Sequence, residues 1–264
     1  MTPEDLAAAG PRYAVDGSVA TITLDRPEVR NAQTPLMWRA LAAIGDEISD
    51  DVRVVLVRGA GRSFSAGLDR AMLDPAGAGD GVESVAKMLS LPDDEVSETI
   101  DAYQRGFTFL RDPRFVSVAV VQGHAIGAGF QLALSCDLRV VADDASFCMK
   151  ESALGLVPDL TGTKPLVESV GYARALEICA TARVVGAAEA AEIGLATMVC
   201  PVGELDEAVA DLVGALTAPL PGAVRETKAL LLAASGRTLD EQRRHEREAQ
   251  IRRFRELANL MSSG

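Results

Sequence analysis

Apolar and polar residues alternate through residues 13–25 on either side of Asp16-Gly17, a pattern that predicts two strands joined by a hairpin turn and ended by Arg26-Pro27. Over residues 34–49 the period changes. Leu36, Leu41, Ile44 and Ile48 fall on one helical stripe, with Thr34 placed to cap the helix and Pro35 to open it. A β-branched run at 52–57 predicts a strand, 95–111 a helix, 116–121 a buried strand, 129–136 a helix, and 137–141 and 145–149 two further strands. Thr161-Gly162-Thr163-Lys164 reads as a turn. Pro165 then starts a helix expected to reach about Ala182, with Leu166, Val170, Ala173, Leu176 and Cys179 as its apolar stripe. A short helix at 187–193 and a strand at 196–200 follow, and beyond Pro201 only helices are predicted, at 204–216, 221–235 and 239–261.

Strands that hand over through turns to helices at irregular intervals define an α/β chain with buried sheets. The expected division is a core over residues 1–200 and a C-terminal helical region over 201–264, whose charged last helix suits either a solvated face or assembly. Residues 71–94, rich in Gly, Ala, Asp and Pro, read either as a mobile lid facing substrate or as a solvated surface loop.

With 264 residues, 48% hydrophobic and 24% charged, the chain is long enough for one large core. A formal net charge of −12 argues against nucleic acid or an anionic membrane as partner, so a phosphate-bearing ligand has to be met by local basic residues. Cys136, Cys148, Cys179 and Cys200 show no CxxC spacing and sit in apolar contexts, which predicts buried reduced thiols. With no secretory leader in the sequence, a cytoplasmic location is expected. Residues 115–136 carry no Asp, Glu, Lys or Arg, yet the Gly-rich turn inside them fits a strand, turn and buried helix rather than a membrane span.

Two glycine-bearing turns follow apolar strands: Ser65-Ala66-Gly67-Leu68-Asp69 and Gly123-His124-Ala125-Ile126-Gly127-Ala128-Gly129. Each is expected to leave unpaired backbone N–H groups at a helix start, and two such turns can converge on one oxygen as an oxyanion hole. Other chemistries fit poorly. His124 and His245 are far apart and no paired cysteines exist, so no metal site is visible; no GxSxG elbow supports a Ser-His-Asp hydrolase. The second turn carries Leu132 where a dinucleotide fingerprint needs its third glycine. Among the acids, Glu151 and Asp159 lie in apolar stretches that suit proton transfer near neutrality. An ion pair for Glu151 and a turn or capping role for Asp159 are the alternative readings.

Five stretches, in this order and spacing, resemble the crotonase superfamily of enoyl-CoA hydratases and isomerases. They are residues 24–32 (LDRPEVRNA), 64–69 (FSAGLD), 123–132 (GHAIGAGFQL), 135–139 (SCDLR) and 151–158 (ESALGLVP). The resemblance implies an α/β fold that spirals in ββα repeats, with a C-terminal helical region that serves oligomerisation and site closure, and assembly as a homo-trimer or dimer of trimers. It implies a CoA thioester as substrate and no separate cofactor. The oxyanion donors it implies are the N–H groups of Leu68 and Ala128. The adenine would lie near Ser65 and Ala66, the phosphates near Arg26 or Arg30, and Gly67, Asp69 and Gly127 would complete the substrate contacts. The family's two hydratase glutamates correspond to Gln131 and Glu151, and an amide cannot carry the proton that a carboxyl does. Asp159 falls where the dienoyl-CoA isomerases have a catalytic aspartate. Double-bond isomerisation with Glu151 and Asp159 as proton carriers is therefore the expected activity, with hydration, assisted by a water held at Gln131, and non-catalytic acyl-CoA binding as the alternatives.

Overall fold

The structure, a computed structural model, describes residue 6, residues 8–73 and residues 84–263. The hairpin forms as expected, β1 (Pro11–Asp16) pairing antiparallel with β2 (Val19–Leu24). Helix α1 (Pro35–Glu47) starts where Thr34 accepts a hydrogen bond from the Met37 N–H, and it leads to β3 (Val54–Gly59). After the short α2 (Val85–Met88) and α3 (Asp93–Thr108) come β4 (Val116–Val121), β5 (His124–Ile126), α4 (Ala128–Ser135), β6 (Leu138–Ala142) and β7 (Ser146–Cys148). Helices α5 (Thr163–Val170) and α6 (Tyr172–Thr181) then precede β8 (Val184–Gly186), α7 (Ala187–Glu192) and β9 (Met198–Cys200). Three helices finish the chain: α8 (Leu205–Thr217), α9 (Pro221–Ala234) and α10 (Leu239–Ser263).

One sheet runs β1-β2-β3-β4-β6-β9, parallel after its first pair; a second, smaller sheet runs β5-β7-β8. Strand β4 is buried along its whole length because both sheet faces are covered, which is why its sequence shows no alternation. Val116, Val118 and Val120 face α8, packing with Leu205 and Val209, while Ala119 and Val121 face the main core with Phe130 and Leu132 of α4. Each valine buried in this way contributes about 1.5–3 kcal/mol.

The structure corrects several expectations. The helix predicted from Pro165 to about Ala182 is two helices broken at Gly171, whose φ of +78° is a conformation that glycine adopts without strain. Strands β5 and β8, three residues each, went unpredicted. The first glycine turn leads into a single 3₁₀ turn, Arg70–Leu73, rather than an α-helix. Much of the proposed lid, 74–83, lies outside the described residues; the rest holds that 3₁₀ turn and α2. Cys136 and Cys148 are buried as expected, but Cys179 and Cys200 are half-buried, and all four thiols are free. Among the described residues no helix is long and apolar enough to cross a membrane.

Polar groups add to the apolar contacts that hold the C-terminal helices. The buried Lys228 ammonium of α9 donates to the carbonyls of Asp112 and Phe115, each at 2.7 Å, and pairs with Asp137 at 2.7 Å. Helix α10 is tied to α9 from outside, Arg252 donating to both carboxylate oxygens of Glu226 at 2.6 and 2.8 Å.

Candidate active site

The two glycine turns meet. Ser65 bridges to Ala125 in parallel fashion, its N–H donating to the His124 carbonyl (2.8 Å) and its carbonyl accepting from the Ile126 N–H (3.0 Å). Gln33 holds the next residues, donating to the Gly67 carbonyl at 2.7 Å and accepting from the Asp69 N–H at 2.8 Å. Gly67 has a φ of +84°, and a Cβ there would lie 2.4 Å from the Ile126 carbonyl oxygen and 3.5 Å from the Ala128 nitrogen. The backbones of the two turns are therefore in direct contact. Ala128 is the first residue of α4, where no intrahelical partner exists for its N–H. Neither the Leu68 nor the Ala128 N–H donates to any described residue, so both expected donors remain available.

The acids come together on the other strand-to-helix connection. Glu151 opens a 3₁₀ turn, Glu151–Leu154, just after β7, and is only 8% exposed. Gln131, on the second turn of α4 and 1% exposed, donates from Nε2 to Glu151 Oε1 at 2.7 Å. Its Oε1 accepts from the Leu160 N–H at 2.8 Å and the Gly162 N–H at 3.2 Å. Glu151 Oε2 is buried without a hydrogen-bond partner in the protein. Burial pushes the Glu151 carboxyl above the usual range, and the charge of Asp159 adds to the rise. Donation from Gln131 and neighbouring backbone N–H groups works against it. Asp159 keeps solvent access, yet desolvation by its surroundings raises its carboxyl too. Its backbone is held by Gln104 of α3, which donates to the Asp159 carbonyl at 2.6 Å.

Some expected contact residues turn out to be interior parts. Ser65 is fully buried, its hydroxyl donating to the Asn31 carbonyl at 2.8 Å and accepting from Gln33 Nε2 at 3.1 Å, so it braces the turn and has no surface to offer a ligand. The Gly127 N–H is taken by the Cys148 carbonyl at 2.8 Å; what Gly127 supplies is room, since a Cβ there would sit 3.2 Å from Glu151 Oε1. Arg26 donates to the Ala32 carbonyl at 2.7 Å and pairs with Asp69 at 3.1 Å, so both of these residues are committed to each other. Ala66 is half-buried and Gly67 buried, while Arg30 remains exposed, its carbonyl accepting from the Ala66 N–H at 2.8 Å. Residues that the sequence reading left aside hold the turn: Gln33, which also accepts from Trp38 Nε1 at 2.8 Å, and Asn31, whose amide donates to the carbonyls of Ala60, Ser63 and Phe64. Asn31 lay inside a matched stretch, but nothing in the sequence marked Gln33.

The sequence profile of the enoyl-CoA hydratase/isomerase family matches residues 14–260, and the chain belongs to that family of enzymes, with the crotonase fold. A Thermobifida fusca YX protein solved in complex with CoA, and provisionally named an enoyl-CoA hydratase, is 51% identical, with a TM-score of 0.92 over 98% of each chain. The same protein in complex with acetoacetyl-CoA gives 52% identity and a TM-score of 0.92, covering 97% of this chain and 98% of that one. The human mitochondrial Δ(3,5)-Δ(2,4)-dienoyl-CoA isomerase is 34% identical over 234 residues, 84% of this chain and 68% of its own length.

Proposed function

We propose that this protein shifts a double bond in an enoyl- or dienoyl-CoA thioester. The observation that carries this reading is the arrangement at Gln131: its amide is tied by three hydrogen bonds and cannot move a proton, leaving Glu151 and Asp159 as the two acids of the site. One of them takes a proton from a carbon next to the unsaturated system as the C–H bond breaks. The electron pair passes to the thioester oxygen, which the N–H groups of Leu68 and Ala128 hold as an enolate. The other acid returns a proton to a different carbon, and no atom of water is incorporated. Raised carboxyl pKa values suit both tasks near neutral pH. The CoA complexes of the Thermobifida relative support the thioester as ligand. Arg30 is the remaining arginine of the expected pair for its phosphates, since Arg26 is engaged with Asp69.

Hydration of a 2-enoyl-CoA is the second reading. It is favoured by the unpartnered Glu151 Oε2, which can activate a water as well as a carbon acid. Incubation with 2-enoyl-, 3-enoyl- and dienoyl-CoA thioesters in heavy-oxygen water separates them by mass spectrometry. A moved double bond without label is expected, whereas labelled 3-hydroxyacyl-CoA would replace this reading with hydration. Binding of thioesters with no product would mark a non-catalytic acyl-CoA binding protein. Residues 201–264 complete the proposal as an assembly region. Ile251, Phe254 and Leu260 of α10 are exposed, and light scattering should return the mass of a trimer or hexamer.

A further inference from the structure

Glu151 has two oxygens in unlike surroundings, and Gln131 is what makes them unlike. Oε1 receives the Gln131 amide at 2.7 Å, and Oε2 is buried with no partner. The same amide reaches in the other direction to two N–H groups of the 159–162 loop, those of Leu160 and Gly162. Leu160 directly follows Asp159. One uncharged side chain on α4 thus touches the holder of the first acid and the chain that carries the second.

We propose that Gln131 is a positioning residue that fixes Glu151 so that Oε2 is the oxygen that exchanges protons, and that sets the distance between Glu151 and Asp159 by anchoring the 159–162 loop. This rests on the reading of Glu151 and Asp159 as the proton carriers. The amide orientation is determined by its partners: two N–H donors face one end, which must be the carbonyl oxygen, so the NH₂ end faces the carboxylate. The last torsion of a glutamate is broad and roughly two-fold, so a carboxylate released from this hold turns about it and presents Oε1 and Oε2 without distinction. A displacement of about 1 Å at a reacting group costs roughly 100-fold in rate.

Two variants divide the two halves of the role. Gln131→Leu keeps the volume and loses both. Gln131→Glu keeps an oxygen for the Leu160 and Gly162 N–H groups and replaces the fixed amide donor to Glu151 with a carboxyl. The expected result for Gln131→Leu is a fall in kcat of about 100-fold with KM changed less than about 3-fold. Gln131→Glu loses the double-bond shift as well, since two adjoining carboxyls share one proton and neither Glu151 oxygen is set apart from the other. A readout that needs no turnover comes from the Glu151 carboxyl resonance in ¹³C-glutamate-labelled protein, identified by its loss in Glu151→Gln. Removing the Gln131 donor must move its titration to higher pH. The other charged group that reaches this carboxyl is Asp159 on the loop, and Lys150 contributes its backbone N–H; the thiols of Cys148 on β7 and Cys179 on α6 are raised by burial and stay neutral in that range. A shifted titration without turnover in the parent would keep the positioning role and remove the isomerase reading. An unshifted titration with turnover within about 3-fold of the parent in a folded Gln131→Leu protein would overturn the proposal.

Discussion

Two neighbouring regions of the site are made of different material. Where residues 65–69 meet 125–128, the groups proposed to hold a ligand are backbone N–H, and their positions follow from chain contacts so close that a single Cβ at Gly67 would collide with a carbonyl. Around Glu151 the groups are side chains, and their positions depend on one amide reaching across 20 residues in one direction and about 30 in the other. The first region cannot be altered without disturbing the fold. The second can lose its chemistry while the fold stands.

That contrast can be broken by experiment. The largest effect is expected for Glu151→Gln, a loss of about 10²–10⁴-fold in kcat with no fall in melting temperature, read by steady-state kinetics beside calorimetry. A parent-like rate would remove Glu151 from the mechanism. Gly67→Ala comes next and should behave oppositely, losing stability and turnover together. The φ of +84° alone costs about 1–2 kcal/mol, and the contact with Ile126 adds to it. An active, normally melting Gly67→Ala protein would show that the turn is not built as tightly as described. Asp159→Asn should cost about 10–100-fold in kcat, less than Glu151→Gln because a more exposed acid is more readily replaced by water.

The smallest effect sharpens the comparison through pH. Burial holds the folded-state pKa of Glu151 above that of the unfolded chain, so stability falls as pH rises from the unfolded pKa through the folded one, and the loss is complete above it. Glutamine carries no such cost. Glu151→Gln should be the more stable protein at neutral pH, by on the order of 1 kcal/mol, and the gap should close in acid. Equal denaturant midpoints at both pH values would contradict the buried-carboxylate description.

How much of this was legible in the sequence follows the same division. The second strand of the hairpin, α1 and β4 announced themselves because their burial is periodic or continuous over six residues or more. The glycine turns were legible too, since backbone geometry leaves its mark on residue type. Strands β5 and β8 were not, because three residues carry no period. The break at Gly171 was masked by an apolar stripe that runs through both α5 and α6. Ser65 looked like a ligand contact and is a brace, since its burial comes from Asn31 and Gln33 folding over it, about 30 residues upstream. That Gln131 replaces a carboxyl could be read from the chain; that its amide joins Glu151 to the Asp159 loop could not, because nothing local records a contact between three separate segments.

The fastening of α9 and α10 has a consequence for ionic strength. Salt screens exposed charges over a Debye length of about 10 Å at 0.1 M but penetrates little into a buried pair. In the Arg252–Glu226 link between the last two helices the arginine is 56% exposed, whereas the Lys228 ammonium sits among carbonyls and Asp137 inside the protein. Rising salt should therefore loosen the outer edge of the α9–α10 contact first, while the buried Ala249 and Arg253 keep α10 in place and the Lys228 anchor of α9 is untouched.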